Sequence, residues 1–154
     1  MRRATLAVVV LSLGLAIAGC GAARPTKRDF IARADAICAS SLRATRSIRA
    51  PAATGSTALA GYLNSVLLVI RSEAAQLRGL HRPPGGPREL AQLTAYLRAL
   101  DDAVAGYASL AAAAQRDDQG AMADAQAALR ANRAAALAVQ YGLRACGAAG
   151  STAA

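Results

Sequence analysis

The chain has 154 residues, enough for one modest hydrophobic core and too few for two. Hydrophobic residues make up 55% of the sequence, but aromatic residues only 3%, so the core is built mainly from alanine, leucine and valine and favours packed helices over a sheet. The formal net charge is +9, yet the basic residues are not interleaved with the aromatic side chains that single-stranded nucleic acid stacks on. We therefore expect one all-α domain that does not bind nucleic acid.

The first twenty residues have the three-part organisation of an export signal. Two arginines open it, residues 4–18 form an uncharged apolar stretch, and small residues precede Cys20. The apolar stretch is shorter than the about 20 residues that a membrane-spanning helix needs. We therefore expect residues 1–19 to be a signal peptide and not a permanent membrane span.

The expected cleavage point is formed by Ile17, Ala18, Gly19 and Cys20. These four residues resemble the lipobox of bacterial lipoproteins. In that family the cysteine thiol receives a diacylglyceryl group, and a signal peptidase then cuts just before the cysteine. The resemblance implies that Cys20 starts the mature chain and anchors it by lipid to the extracytoplasmic face of the cell membrane. The alternative is an ordinary secreted protein in which the cysteine stands there by chance.

Residues 20–28 are expected to form a lipidated tether. Its basic residues Arg24, Lys27 and Arg28 would each add about 1 kcal/mol of attraction to anionic lipid. The first helix is predicted over residues 27–49, because Pro51 disfavours helix in the residue before it.

Two further helices follow in chain order. The second is predicted from Ser56 or Thr57 to about Leu80, and it ends at the proline- and glycine-rich residues 81–87. Pro87 opens the third helix. Its apolar residues recur every seven positions in two series, which are Leu90, Leu97, Val104 and Ala111, and Leu93, Leu100, Tyr107 and Ala114.

The fourth helix is predicted to follow a turn at residues 117–120 and to continue without a break to about Gly142. Four amphipathic helices with short connections predict an all-α, up-down-up-down four-helix bundle. We assign the bundle to residues 29–147 and a flexible C-terminal tail to residues 148–154.

Cys38 and Cys146 are the two cysteines that remain after Cys20. An even pair in an exported chain is typical of a disulfide, and both residues are predicted on the inward sides of neighbouring first and fourth helices. The pairing has one difficulty. Cys38 lies about 16 Å along the first helix, whereas Cys146 is expected beside that helix's start. The alternative is a pair of buried free thiols.

Two wider segments surround these cysteines. RADAIC at residues 33–38 and YGLRACG at residues 141–147 resemble paired motifs of small exported helical lipoproteins from high-GC actinobacteria. The resemblance implies a helical domain bracketed by two cysteines, an extracytoplasmic location and no particular activity. It supports the pairing of Cys38 with Cys146.

The residue types that carry catalysis or bind metals are scarce. His81 is the single histidine and is expected in a surface loop, which excludes a histidine-rich zinc site. Asp101 and Asp102 would point about 100° apart on a helix, so they cannot converge on one metal unaided. Asp117 and Asp118 fit a turn and the N-terminal cap of the next helix. We therefore expect neither cofactor nor metal.

An enzyme would have to be reconsidered if Asp35, Glu73 or Asp124 converged in one cleft with strongly shifted pKa values. Since no catalytic constellation can be assembled, we expect a protein that is not an enzyme. It would have a non-catalytic interaction or structural role, with another envelope protein as its partner.

The alternative function is a lipoprotein that binds a small ligand in its helical bundle. The residues expected to line such a pocket are Tyr62, Tyr96, Tyr107 and Asn132. The competing interpretation is that the tyrosines fill the core, with their hydroxyls at its rim, and that Asn132 fixes the register of the helices.

Overall fold

The computed structural model describes residues 25–52 and 55–148. Within these ranges it contains no strand and five helices, which are α1 (Lys27–Ser47), α2 (Ser56–Gly79), α3 (Pro87–Gln115), α4 (Gln119–Ala131) and α5 (Ala134–Tyr141). Successive helices pack on one another, α1 on α2, α2 on α3, and α3 on both α4 and α5. The all-α, up-down-up-down bundle is therefore confirmed, with α4 and α5 together forming its fourth member. The expected signal peptide and Cys20 lie outside the described residues.

The helix starts fall where the local sequence specifies them. Thr26 and Asp29 form a capping box at the start of α1: the Thr26 hydroxyl accepts a hydrogen bond from the Asp29 N–H at 3.2 Å, and the Asp29 carboxylate accepts one from the Thr26 N–H at 3.0 Å. Pro87 is the first residue of α3. The predicted starts are confirmed, and α1 ends at Ser47, slightly before the predicted residue 49.

The turn between α3 and α4 contains the predicted acidic pair. Asp117 has a positive φ of 53°, and Asp118 caps α4 by accepting a hydrogen bond from the Ala121 N–H at 3.0 Å. The turn-and-cap interpretation of this pair is confirmed.

The prediction of an unbroken fourth helix is wrong. The backbone of Asn132 is extended, with φ −66° and ψ 136°. Its side-chain oxygen accepts a hydrogen bond from the Ala134 N–H, and its amide donates to the Ala99 carbonyl of α3, both at 2.8 Å. Because the Asn132 side chain bonds to the backbone N–H at the start of α5, it satisfies a donor that an unbroken helix would pair with a backbone carbonyl, and it so stabilises the helix break. Asn132 is half-buried and acts as a cap, not as a register residue within a helix.

The two predicted heptad series in α3 are buried to different extents. In the series that begins at Leu93, Leu93, Leu100 and Ala114 are buried and Tyr107 is half-buried. In the series that begins at Leu90, Ala111 is buried and Leu97 and Val104 pack half-buried against the core, whereas Leu90 is 37% exposed. A third set with the same spacing, which is Tyr96, Ala103 and Leu110, is buried as well.

The core has two parts along the bundle. The residues of the first, the disulfide cluster, are Phe30, Ala34, Cys38, Ala74, Leu77, Leu93, Tyr96, Leu100, Ala134, Ala138, Tyr141, Leu143 and Cys146. The residues of the second, the alanine cluster, are Ala60, Leu63, Leu110, Ala111, Ala113, Ala114, Met122 and Ala125. The disulfide cluster therefore joins α1, α2, α3, α5 and the C-terminal segment, whereas the alanine cluster joins α2, α3 and α4.

Candidate functional site

Cys38 and Cys146 form a disulfide, as predicted, with an Sγ–Sγ distance of 2.04 Å and 108 residues of sequence separation. Both cysteines are buried, with 1% and 0% of their surface exposed. The Tyr96 hydroxyl lies 4.0 Å from Cys38 Sγ, and the Ala34 carbonyl oxygen lies 3.7 Å from Cys146 Sγ. Because a disulfide sulphur carries no hydrogen, Tyr96 is the donor in the first contact and the second is a packing contact.

A chain reversal after α5 removes the offset between the two cysteines. Tyr141 packs edge-on against Phe30 near the start of α1, with ring centroids 5.9 Å apart. Gly142 then has φ 105°, and the Leu143 N–H donates to the Ala138 carbonyl at 2.9 Å, which closes a left-handed cap. The chain then runs along α1 from its start, and this brings Cys146 beside Cys38.

Asp35 fixes this returning segment on α1. Its carboxylate accepts hydrogen bonds from the N–H groups of Arg144 at 3.2 Å and Ala145 at 2.8 Å. These backbone donors lie outside any helix and need a partner when the segment packs on the bundle. Asp35, one of the candidate catalytic acids, is therefore placed where it docks the C-terminal segment.

The other two candidate acids lie in different surroundings. Glu73 is buried in α2 with 1% exposure, and Asp124 is exposed on α4. Burial raises the pKa of the Tyr96 hydroxyl, and the nearby charges of Glu73 and Asp35 raise it further. Glu73 and Asp35 thus share the surroundings of Tyr96, whereas Asp124 does not belong to that group.

The tyrosines expected to line a pocket are divided between the two clusters. Tyr96 is fully buried in the disulfide cluster, and Tyr62 packs against the alanine cluster. Burial raises the pKa of Tyr107, and its neighbour Tyr62 adds to the shift. A ligand pocket lined by Tyr62, Tyr96, Tyr107 and Asn132 stays a prediction.

A groove lies elsewhere, on the outer seam between α1 and α2. Its volume is about 290 Å³, and its lining residues are Ser40, Ser41, Ala44, Leu68, Val69, Ser72 and Gln76. A small notch of about 10 Å³ lies near the start of α1, lined by Pro25, Phe30, Arg33, Leu80 and His81. Neither cavity contains the predicted pocket residues.

Residues 25–52 and 55–148 contain no group of three or more histidine, cysteine, aspartate or glutamate side chains placed to hold a metal ion. None of the helices there combines the length and the apolar character needed to cross a bilayer. His81 is exposed in the loop after α2, as expected.

The base of the bundle, where α1 begins and the loop from α2 enters α3, is rich in charge. Lys27 Nζ lies 2.8 Å from Glu89 Oε1 and 4.9 Å from the centre of the Tyr141 ring. The hydrogen bond between Lys27 and Glu89 raises the pKa of the lysine and lowers that of the carboxyl. The capping hydrogen bonds from Thr26 lower the pKa of Asp29. The carboxylates of Asp29 and Glu89 therefore both form hydrogen bonds within the chain.

The residues that hold the C-terminal segment had unequal signals in the sequence. A glycine directly after an apolar helical stretch, as at Gly142, is a recognisable cap signal. Nothing in the spacing of Asp35 indicates that it binds backbone more than a hundred residues away.

No protein-family model, curated protein or solved structure matches the chain. The function is therefore argued from its own residues and geometry.

Proposed function

We propose that the chain is a bacterial lipoprotein, held at the extracytoplasmic face of the cell membrane by a diacylglyceryl group on Cys20. Its helical bundle has a non-catalytic interaction or structural role at the cell envelope. The observation that carries this proposal is the buried Cys38–Cys146 disulfide. Disulfides form and persist in oxidising compartments outside the cytosol, which is where the lipobox-like residues would send the chain.

The position of Cys20 supports anchoring at the base. Four residues separate Cys20 from Pro25, the first described residue. The five residue-to-residue steps between them span at most about 18 Å when fully extended. A lipid on Cys20 would therefore keep the start of α1 near the bilayer, with the alanine cluster directed away from it.

The side chains around the disulfide support a non-catalytic role. The Asp35 carboxylate accepts two backbone hydrogen bonds, and Tyr96 is fully buried beside Cys38. These groups hold the C-terminal segment in place. We therefore propose that the bundle acts through its outer surface, with another envelope protein as its partner.

The alternative, a small-ligand binder, is favoured by the groove between α1 and α2. Its volume of about 290 Å³ lies at the lower end of the range for ligand pockets. A retained ligand would appear as added mass in native mass spectrometry, and Ser40→Tyr, which places a ring in the groove, would remove that mass. If native mass spectrometry shows no added mass beyond the lipidated chain, the interaction role is the better proposal.

The proposal is tested by intact mass measurement on protein purified from bacterial membranes, with and without reduction and alkylation. We expect a chain that begins at Cys20 and carries a diacylglyceryl group. We also expect two thiols that alkylate only after reduction. Cys20→Ser is the control, since it should abolish the lipid and leave the disulfide. An unlipidated wild-type chain in the soluble fraction would overturn the anchor.

A further inference from the structure

We infer that the base of the bundle docks on the surface of an anionic phospholipid bilayer. The docking surface, the basal face, consists of the exposed arginines Arg28, Arg33, Arg82 and Arg88. The inference rests on the proposed function, because the anchor on Cys20 orients the base toward the membrane. It goes further by naming the lipid class that the domain itself recognises.

The basic groups of the base outnumber the acidic ones. Glu89 is paired with Lys27. The capping hydrogen bonds lower the pKa of Asp29, and the nearby charges of Arg33 and Arg28 lower it further. None of the four arginines forms a salt bridge within the described residues. With Lys27 and four arginines against Asp29 and Glu89, the base keeps a net positive charge.

The basal face is also pre-organised. Arg82 and Arg88 flank a loop that contains Pro83, Pro84 and Pro87, whose rings fix their φ angles. Arg33 of α1 and His81 of the loop line the same small notch, so the start of α1 and the loop are packed together at the base. A surface that is already ordered loses little conformational entropy when it binds.

The chemistry of the base favours lipid phosphates over nucleic acid. Phe30 and Tyr141, the aromatic residues near the base, are each only 3% exposed and offer no ring for a base to stack on. Exposed guanidinium groups attract anionic headgroups within about one Debye length, about 8 to 10 Å. The opposite end also has exposed arginines, but Asp117 and Asp118 follow Arg116 directly there. The arginines of the basal face are the ones that Cys20 would hold next to the membrane.

The absence of tryptophan from the sequence provides a clean test of this inference. Pro84→Trp places a reporter in the exposed basal loop, and Thr57→Trp places one at the start of α2, at the opposite end. The lipoprotein purified from membranes is reconstituted in phosphatidylcholine vesicles with and without phosphatidylglycerol. Quenching of each tryptophan by headgroup spin-labelled lipid then reports contact with the bilayer surface.

We expect phosphatidylglycerol to increase quenching of the basal reporter and not of the distal one. The triple variant Arg28→Gln, Arg82→Gln, Arg88→Gln should lower the docked-to-undocked ratio about 100-fold. The matched variant Arg43→Gln, Arg46→Gln, Arg116→Gln removes the same charge from exposed positions away from the base and should leave the ratio unchanged. Raised salt should mimic the basal variant.

Equal quenching of the basal tryptophan with and without phosphatidylglycerol would overturn the inference. The arginines would then be better explained as a contact for an acidic protein surface. An equal loss in both triple variants would also overturn it, since net charge alone would explain binding. Failure of the anchor is measured separately, as a missing lipid in the intact mass. An unlipidated chain that floats with phosphatidylglycerol vesicles, and not with phosphatidylcholine alone, would still support the basal face. One that floats with neither would contradict it.

Discussion

The two clusters of the core are held together by different means. The disulfide cluster contains Phe30, two buried tyrosines and the covalent link between α1 and the C-terminal segment. In the alanine cluster five of the eight buried residues are alanine, and close approach of backbones replaces large side chains. At Gly106 an added Cβ would lie 2.8 Å from Leu129 Cδ2. Small residues let helices pack closely but bury little apolar area each, so the two clusters should respond differently to the same perturbation.

The largest expected effect on stability comes from removing the Cys38–Cys146 disulfide, which belongs to one cluster only. The double variant Cys38→Ala, Cys146→Ala should lower the free energy of unfolding by about 4 to 5 kcal/mol, because it opens a loop closed over 108 residues. Urea unfolding measures the loss. Hydrogen exchange should show most new opening in residues 142–148. Equal opening in α4 would contradict a distinction between the clusters.

A matched pair of core truncations tests whether the clusters are coupled. Leu100→Ala in the disulfide cluster and Leu110→Ala in the alanine cluster should each cost about 2 to 5 kcal/mol. Repeated in the cysteine-free background, Leu110→Ala should cost the same to within about 0.5 kcal/mol, whereas Leu100→Ala should not be additive. Urea unfolding of six chains, which are the two parents and each leucine variant in both backgrounds, gives both coupling energies. If both truncations were additive with loss of the disulfide, the energetic distinction between the two clusters would be contradicted.

Glycine substitutions test the close packing of the C-terminal segment. At Gly147 a Cβ would lie 2.4 Å from Val139 Cγ2 and 3.0 Å from the Ala135 carbonyl oxygen. Gly147→Ala should therefore destabilise the protein by about 1 to 3 kcal/mol. Gly61→Ala, exposed in α2 with nothing within 4 Å, is the control and should stabilise by about 1 kcal/mol. Thermal unfolding of both variants checks the opposite signs.

The smallest expected effect concerns pH at the base. The pKa of Asp29 lies below its ordinary value of 3.8, because the Thr26 hydroxyl and backbone donate to its carboxylate. A lowered folded-state pKa stabilises the fold above pH 3.8, and that contribution is lost as the pH falls through the folded-state pKa. Thr26→Ala should raise the Asp29 pKa in an NMR titration, whereas Thr57→Ala should not. An unchanged pKa in Thr26→Ala would contradict the capping box as the cause.

Much of the fold could be predicted because its signals are local. Thr26, Pro87 and the loop after α2 mark helix ends by their own chemistry, and an even cysteine pair in a chain expected to be exported predicted the Cys38–Cys146 disulfide. The break at Asn132 was missed because the residue depends on the Ala99 carbonyl, 33 residues away in sequence. Its alanine-rich neighbours favour helix on either side.

The third buried set in α3 could not be predicted for a related reason. Leu97 and Val104 are more apolar than Ala103, although Ala103 is the more deeply buried residue. Tyr96 begins that set, and its hydroxyl contacts the disulfide. The site at the base depends equally on tertiary structure, since no sequence spacing brings Arg33 beside His81.

The bridge between α1 and the C-terminal segment also determines how the domain bears mechanical load. If a pull between the membrane and the C-terminus were to extend the chain, only residues before Cys38 and after Cys146 could lengthen, because the 108 residues of separation between them form a closed covalent ring. The alanine cluster lies inside that ring. The oxidised domain would therefore transmit tension through a short path along α1 and leave most of its helices unloaded.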